Sequence, residues 1–172
     1  MKWLVSNSKN VIQTLAELIN VFYKTTFDGP RFDKIITWAE INVQQNKQFL
    51  LYLKQIAPGI KNIVDFRNAQ EHPKKRKKLI VENFTIKPGS VVSIPVWYIS
   101  DDKPTDIHHS MKAIAKFLMD ISEWILLCCV MDNIRSSFPF IIRYVDDTAL
   151  DPKCPIKYFV EPDFGVFSSE KK

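Results

Sequence analysis

The chain has 172 residues and a formal net charge of +5, a modest excess that does not by itself indicate nucleic-acid binding. Apolar residues make up 46% and charged residues 25%, which suits one globular domain over residues 1–172 with a real core. No apolar run reaches the roughly 18 residues of a membrane helix, and residues 1–6 lack the apolar core of a secretory signal, so we expect a cytoplasmic protein with no membrane contact.

The first 71 residues have helical periodicity, with apolar side chains three and four positions apart. This pattern predicts a helix over about 8–25 with Ser8 as its N-cap, and a second over about 31–56. The motif at residues 57–59 contains proline and glycine and is expected to interrupt the helix. A third, shorter helix is then predicted over about 59–71.

The periodicity changes after the third helix, and residues 79–99 are rich in β-formers. Residues 87–90 contain Pro88 and Gly89, which together have the chemistry of a tight turn. We therefore predict a β-hairpin over about 79–99, in which Pro95 restricts part of the second strand to a sheet edge.

A long apolar helix is predicted over about 106–131, with Asp106 as its cap. A helix this apolar must pack on two sides, in a bundle or against a second subunit. Residues 138–145 and 156–160 are candidates for a second small hairpin. The predicted fold is mainly α: a bundle of four to five helices with an inserted β-hairpin and this C-terminal hairpin.

The three cysteines do not form a pattern typical of a disulfide framework or a zinc site. Cys128 and Cys129 are adjacent in the last apolar helix, and Cys154 lies in a proline-rich loop. We expect the adjacent pair to be buried free thiols, and we expect no metal and no cofactor.

Residues 65–73 hold the most informative motif of the chain. Arg67 is followed by Asn68, then by His72 and a proline. An arginine can neutralise a phosphate, and a histidine can move a proton near neutral pH. Five cations follow at once, and they are expected to hold a nucleic-acid backbone: Lys74, Lys75, Arg76, Lys77 and Lys78.

Together these side chains are sufficient to cut RNA without a metal. His72 would act as general base on a ribose 2′-hydroxyl or as general acid on the leaving 5′-oxygen. Arg67 would stabilise the charge on the transition state, and Asn68 would orient the phosphate or the histidine. On a straight helix, Arg67 and His72 would point about 140° apart, but Pro73 places His72 at the helix end, free to turn back.

Simpler interpretations exist for the same residues. A histidine before a proline is often a helix C-terminal residue that contacts carbonyl groups, and a lysine run is usually a solvated surface. The bare spacing of Arg67 and His72 also recurs by chance in unrelated chains.

The motif resembles that of the HEPN family (higher eukaryotes and prokaryotes nucleotide-binding domains): an arginine, a polar residue, and a histidine four to six intervening residues on. The two preceding helices, the helix end at His72 and the later apolar helix are similar to that family, and the insert over 79–99 looks like that of some bacterial members. The interrupted hairpin and the C-terminal extension are less typical of it.

The resemblance implies a compact helical bundle and a metal-independent endoribonuclease, often a toxin or a defence effector. It implies a homodimer in which two copies of the motif face one cleft, with RNA as substrate and an antitoxin or regulatory protein as a further partner. Other members are catalytically silent modules that bind RNA, nucleotide or a protein partner, and that alternative stays open.

Two other motifs have simpler interpretations. The sequence around Asp146 and Asp147 resembles the metal-binding turn of reverse transcriptases, but a strand end followed by an acidic turn explains it. His108 and His109 are adjacent, so on a helix they point about 100° apart and do not easily share one ion. We expect them to be an exposed pair in the first helical turn. With only four glycines, the chain has no phosphate-binding loop.

Overall fold

Four α-helices make up most of the described chain, which in this computed structural model comprises residues 2–43, 46–74, 77–133 and 140–163. They are α1 (Lys2–Tyr23), α2 (Phe32–Asn42), α3 (Lys47–Glu71) and α4 (Ile107–Asn133). Each helix contributes apolar side chains to one core, which includes Ile12, Ile19, Ile35, Phe49, Leu53, Ile60, Ile121 and Ile125. Within the described residues, no helix is both long and apolar enough to cross a membrane.

Contacts at the helix ends fix the direction in which α3 runs. The rings of Tyr23 and Phe49 stack with their centroids 5.9 Å apart, so the end of α1 meets the start of α3. The Tyr23 hydroxyl also donates to Asp132 near the end of α4. Since α3 therefore runs antiparallel to α1 and α4, its C-terminus lies at the opposite end of the bundle from Asp132.

The helix predicted over 8–25 begins earlier than expected. The residues before Ser8 continue the helix, and Ser8 is a buried interior residue whose hydroxyl donates to the carbonyl of Leu4 over 2.8 Å. The prediction of Ser8 as N-cap was therefore wrong, because burial of this small side chain among the helices outweighs its preference for a cap.

The single helix predicted over 31–56 is two helices, α2 and α3. α2 ends where the backbone N–H of Val43 bonds the carbonyl of Ala39, and Asn46 starts α3 by accepting a hydrogen bond from the N–H of Phe49 over 2.9 Å. An asparagine in this position is a strong helix start.

The interruption predicted at residues 57–59 is absent, because α3 continues through Pro58. Ile56 and Ile60 on either side of the proline are both buried in the core, and this packing holds the helix through it. Gly59 allows α4 to approach closely, since a Cβ at this position would lie 2.6 Å from the ring of Phe117. Tertiary packing therefore outweighs the local tendency of these residues to end a helix.

The segment between α3 and α4 is an interrupted hairpin. Its strands are, in chain order, β1 (Leu79–Glu82), β2 (Thr85–Lys87), β3 (Val91–Ser93) and β4 (Val96–Ile99). β2 pairs with β3 at the tip of the hairpin, and β1 pairs with β4 at its base. The predicted turn is confirmed, since Gly89 has a φ of +84° and Ser90 a φ of +61°. Pro95 lies in the interruption between β3 and β4, as its missing N–H requires.

A short strand, β5 (Thr105–Asp106), adds to the edge of β4 and leads directly into α4. The sequence did not reveal this third strand. The side chain of Asp106 accepts a hydrogen bond from the N–H of His109 over 3.0 Å, which confirms Asp106 as the cap of α4.

The C-terminal hairpin is also present, as β6 (Phe140–Tyr144) paired antiparallel with β7 (Tyr158–Pro162). Residues 138 and 139 of the predicted strand lie outside the described part of the chain. The observed fold is thus helix-rich with three small antiparallel sheets, a more mixed architecture than a helical bundle with one inserted hairpin.

Candidate functional site

The candidate site lies at the C-terminal end of α3. The helix ends at Glu71, and His72 is its C-cap, with a φ of −129° and a backbone N–H that bonds the carbonyl of Asn68 over 2.9 Å. Because His72 precedes Pro73, this departure from helical geometry is the one predicted. The direction of the imidazole is therefore not set by the helical repeat.

Arg67 lies at the edge of the core, one helical turn before Glu71. Its side chain is 20% exposed and forms an ion pair with the carboxylate of Glu71. One terminal nitrogen also donates to the side-chain oxygen of Asn68 over 3.3 Å. Its Nε is buried and has no hydrogen-bond partner in the part of the chain that the structure describes. The guanidinium is therefore held in place by Glu71 and Asn68, and some of its N–H donors have no partner among the described residues.

His72 is exposed, and its ring makes no hydrogen bond with any described residue. The structure brings Arg67 and Asn68 together, but among the described residues no contact joins either side chain to the imidazole. The Cα atoms of Arg67 and His72 are five residues apart, about 7.5 Å along the axis of a regular helix.

The basic run begins one residue beyond His72. Lys74 and Lys77 exchange two backbone hydrogen bonds of 3.2 and 2.9 Å, which brings these two residues side by side. Both are exposed, as is Lys78. Lys75 and Arg76, the other two predicted contacts, lie outside the described residues.

The inserted sheet supports this end of α3. Trp97 of β4 is buried and packs on Phe66, with ring centroids 5.1 Å apart. Ser100, just after β4, accepts the backbone N–H of Lys78 on its hydroxyl over 3.2 Å. The sheet therefore fixes both the helix that carries Arg67 and the end of the basic run.

Glu71 is the residue of this site that the sequence interpretation missed. It lies four positions after Arg67, a spacing at which opposite charges on a helix meet. This four-residue spacing on a predicted helix is the signal in the sequence that identifies the pair. The pair means that the positive charge of Arg67 is partly balanced before any phosphate binds.

The competing motifs have the structures expected of their simpler interpretations. His108 and His109 are exposed in the first turn of α4. Asp146 accepts hydrogen bonds from the N–H and the hydroxyl of Thr148 over 2.9 and 2.7 Å, and these bonds lower the pKa of its carboxyl. In the described residues, no three His, Cys, Asp or Glu side chains gather as metal ligands would.

The thiols also have the predicted state. Cys128 and Cys129 are free and buried in α4, and burial raises the pKa of each to about 12. Cys154 is free and exposed. A buried thiol with so high a pKa is not a nucleophile near neutral pH.

The fold and this end of α3 define a helix-rich protein in which an exposed histidine lies five residues after an arginine and just before exposed lysines. In comparisons with protein-family models, curated proteins and solved structures, the chain matches none of them.

Proposed function

We propose that this chain is a HEPN-like helical bundle and a metal-independent endoribonuclease that works as a homodimer. The observation that carries the proposal is the arrangement at the end of α3, where an exposed imidazole, a half-buried guanidinium and exposed lysines follow one another within a few residues. These are the groups needed to bind a ribose-phosphate backbone and to move a proton beside it.

The proposed reaction is a transesterification of the RNA backbone. The 2′-oxygen attacks the adjacent phosphorus while its proton goes to a base, and the bond from phosphorus to the 5′-oxygen breaks as that oxygen takes up a proton. The products are a 2′,3′-cyclic phosphate and a 5′-hydroxyl. The chemistry needs one base and one acid, and the imidazole of His72 can serve as either.

Arg67 is suited to the phosphate. A guanidinium has five N–H donors, and within the described residues only those facing Glu71 and Asn68 are engaged. The remaining donors can bind phosphate oxygens as negative charge grows in the transition state. Asn68, which accepts from Arg67, orients the guanidinium in this scheme.

A homodimer would supply a second imidazole, so that one His72 acts as base and the other as acid. α4 carries exposed apolar side chains that suit such a contact: Met119 is 43% and Leu126 46% exposed, and they are one heptad apart. Sedimentation should show a dimer for the wild type and a monomer for Leu126→Glu. The same change at the exposed Leu51 of α3 is the control and should leave the dimer intact.

The nuclease proposal is tested by incubating the purified protein with total RNA in the presence of EDTA. We expect cleavage that resists the chelator, ends in 2′,3′-cyclic phosphates and is lost in Arg67→Ala. Cleavage that requires a divalent metal, or that Arg67→Ala leaves at the wild-type rate, would contradict it. An antitoxin or other regulatory partner would be identified only after activity is established.

The ion pair between Glu71 and Arg67 favours a second candidate function, a catalytically silent module that binds RNA, nucleotide or a protein partner. An arginine whose charge is already balanced by a carboxylate stabilises negative charge on a phosphate less well, while the exposed lysines keep their affinity for phosphates. This candidate predicts no cleavage, with or without metal, and RNA binding that weakens steeply as salt is added.

A further inference from the structure

A cluster of four aromatic residues lies where α3, α4 and the C-terminal hairpin meet. The rings of Tyr52 and Trp124 are 5.4 Å apart, those of Trp124 and Tyr158 are 5.9 Å apart, and those of Tyr144 and Tyr158 are 5.3 Å apart. All four line one cavity of about 290 Å³, hereafter the aromatic pocket. Tyr52 is fifteen residues before Arg67 on the same helix, about 22 Å along its axis, so this pocket is distinct from the candidate nuclease site.

Three charged side chains complete the aromatic pocket: Asp120, Glu123 and Lys157. The ammonium of Lys157 lies 3.0 Å from a carboxylate oxygen of Asp120. Glu123 accepts the backbone N–H of Lys157 on both oxygens, over 3.3 and 3.2 Å. Two carboxylates and one ammonium leave a net negative charge, so the pocket is suited to a further positive charge and repels a phosphate.

The hydroxyl of Tyr158 and the indole N–H of Trp124 are the polar groups of two of these rings. Burial raises the pKa of Tyr158 most; the neighbouring Tyr144 raises it further, the ammonium of Lys157 lowers it, and the carboxylates of Glu123 and Asp120 raise it. The Nε1 of Trp124 is buried and has no hydrogen-bond partner among the described residues. Because this N–H has almost no accessible surface, it is not a donor for a ligand, and the aromatic rings themselves supply the binding surface.

We propose that the aromatic pocket binds an organic cation, in the form of an alkylated ammonium group. The faces of tryptophan and tyrosine rings attract such cations, and quaternary ammonium groups are bound in this way by cages of aromatic side chains. Lys157 neutralises Asp120 in their ion pair, so the carboxylate of Glu123, which accepts a neutral backbone N–H, supplies the negative charge that a bound cation would face. A cavity near 300 Å³ is small, and it suits a trimethylammonium group with a short chain.

The proposal is tested with choline, a small quaternary ammonium compound, by recording the indole N–H signals of ¹⁵N-labelled protein. The chain has four tryptophans, and Trp124→Phe identifies the signal of Trp124. We expect choline to move this signal saturably, with a Kd on the order of 1 mM, and to leave the other three in place. The neutral isostere 3,3-dimethylbutan-1-ol should bind at least about tenfold more weakly, since it lacks the charge.

Two variants connect binding to the pocket. Tyr144 is 53% exposed, so Tyr144→Leu removes one ring without disturbing the core, and it should weaken choline binding about fivefold. Glu123→Gln keeps an oxygen for the N–H of Lys157 and removes one charge, and it should weaken binding as well. Phe159→Leu is the control, because Phe159 is next to Tyr158 on β7 and points to the opposite face of the hairpin.

The outcomes separate clearly. A trimethyl-lysine peptide that binds more tightly than choline identifies a protein side chain as the source of the cation, and the reverse identifies a free metabolite; both support the proposal. It is overturned if the neutral isostere binds as tightly as choline, if Phe159→Leu weakens binding as much as Tyr144→Leu, or if adenosine monophosphate moves the Trp124 signal at lower concentration than choline does.

Discussion

The two ends of the helical bundle satisfy their polar groups in different ways. At the Asp132 end, one carboxylate accepts from the hydroxyl of Tyr23 and from the side-chain amide of Asn46, the latter over 2.6 Å. These bonds join α1, the cap of α3 and the last turn of α4. At the Arg67 end, a buried guanidinium nitrogen has no partner within the described residues, and the exposed imidazole of His72 has none either.

This difference suggests that the Asp132 end contributes mainly to stability and that the Arg67 end is the better candidate for a functional site. Burying a polar atom without a partner costs free energy, so a fold retains such atoms where they serve another purpose. Among the described residues, none of the unpartnered buried side-chain atoms belongs to Tyr23, Asn46 or Asp132. Burial, together with the bond to Asp132, raises the pKa of Tyr23, so this hydroxyl stays protonated and remains a donor. We therefore expect substitutions at the Asp132 end to change stability, and substitutions at the Arg67 end to change activity.

The largest effect on stability is expected for Phe49→Ala. Phe49 is fully buried and stacks on Tyr23 close to Asp132, so its loss should lower the free energy of unfolding by about 3–5 kcal/mol. Urea denaturation followed by circular dichroism measures this change. Leu51→Ala, two residues further along α3 at a side chain that is 68% exposed, is the control and should change it by less than about 0.5 kcal/mol. Equal losses would mean that α3 is not packed as described.

Thiol reactivity should also distinguish buried from exposed parts of the chain. Because burial raises the pKa of Cys128 and Cys129 from 9.0 to about 12, their thiolate fraction at pH 8 falls about a thousandfold, and native protein should react with iodoacetamide at Cys154 alone. These thiols stay protonated in the folded state, whereas the unfolded chain loses their protons above pH 9. Their contribution to stability is therefore complete below pH 9 and lost between pH 9 and pH 12. Mass spectrometry that finds all three thiols labelled in native protein would contradict this.

Asp132→Ala should lower the free energy of unfolding by about 2 kcal/mol, because it leaves the hydroxyl of Tyr23 and the amide of Asn46 without their common acceptor. RNA cleavage per folded molecule should not change. Thermal unfolding and a cleavage assay on the same sample measure both. A variant that retains full stability would show that the Asp132 network does not hold the three helices together.

The smallest effect is expected for Glu71→Gln. This change releases Arg67 from its ion pair, and because both side chains are partly exposed we expect only a threefold to fivefold gain in RNA affinity. Fluorescence anisotropy with a labelled oligonucleotide measures it. Glu17→Gln on α1 makes the same change in net charge at an exposed position and should have less effect. Equal gains in the two variants would assign the effect to net charge alone.

Local signals in the sequence predicted several features correctly because short-range chemistry decides them. The end of α3 at His72 follows from Pro73, the start of α4 follows from the cap at Asp106, and the tight turn follows from Gly89. Each of these depends on one or two neighbouring residues. The C-terminal hairpin belongs with them, since its strands have β-forming composition.

Other features depend on contacts between distant segments and could not be predicted in this way. Pro58 remains inside α3 because the core holds the helix on both sides, and Gly59 matters only because Phe117 of α4 lies against it. The aromatic pocket likewise combines residues from α3, α4 and both strands of the C-terminal hairpin. The motif predicts the residues of the candidate nuclease site. The ion pair of Arg67 with Glu71 was not among the predictions, although its four-residue spacing is a sequence signal for it.

The most direct test of the central claim compares His72→Ala with His108→Ala in RNA cleavage at constant EDTA. His108 is also exposed and lies in the first turn of α4, so the pair controls for the loss of a surface imidazole. We predict that His72→Ala reduces the cleavage rate by about 10²- to 10⁴-fold with RNA binding and stability retained, while His108→Ala cleaves like the wild type. Cleavage by His72→Ala at the wild-type rate would contradict the assignment of the Arg67 end as the catalytic one.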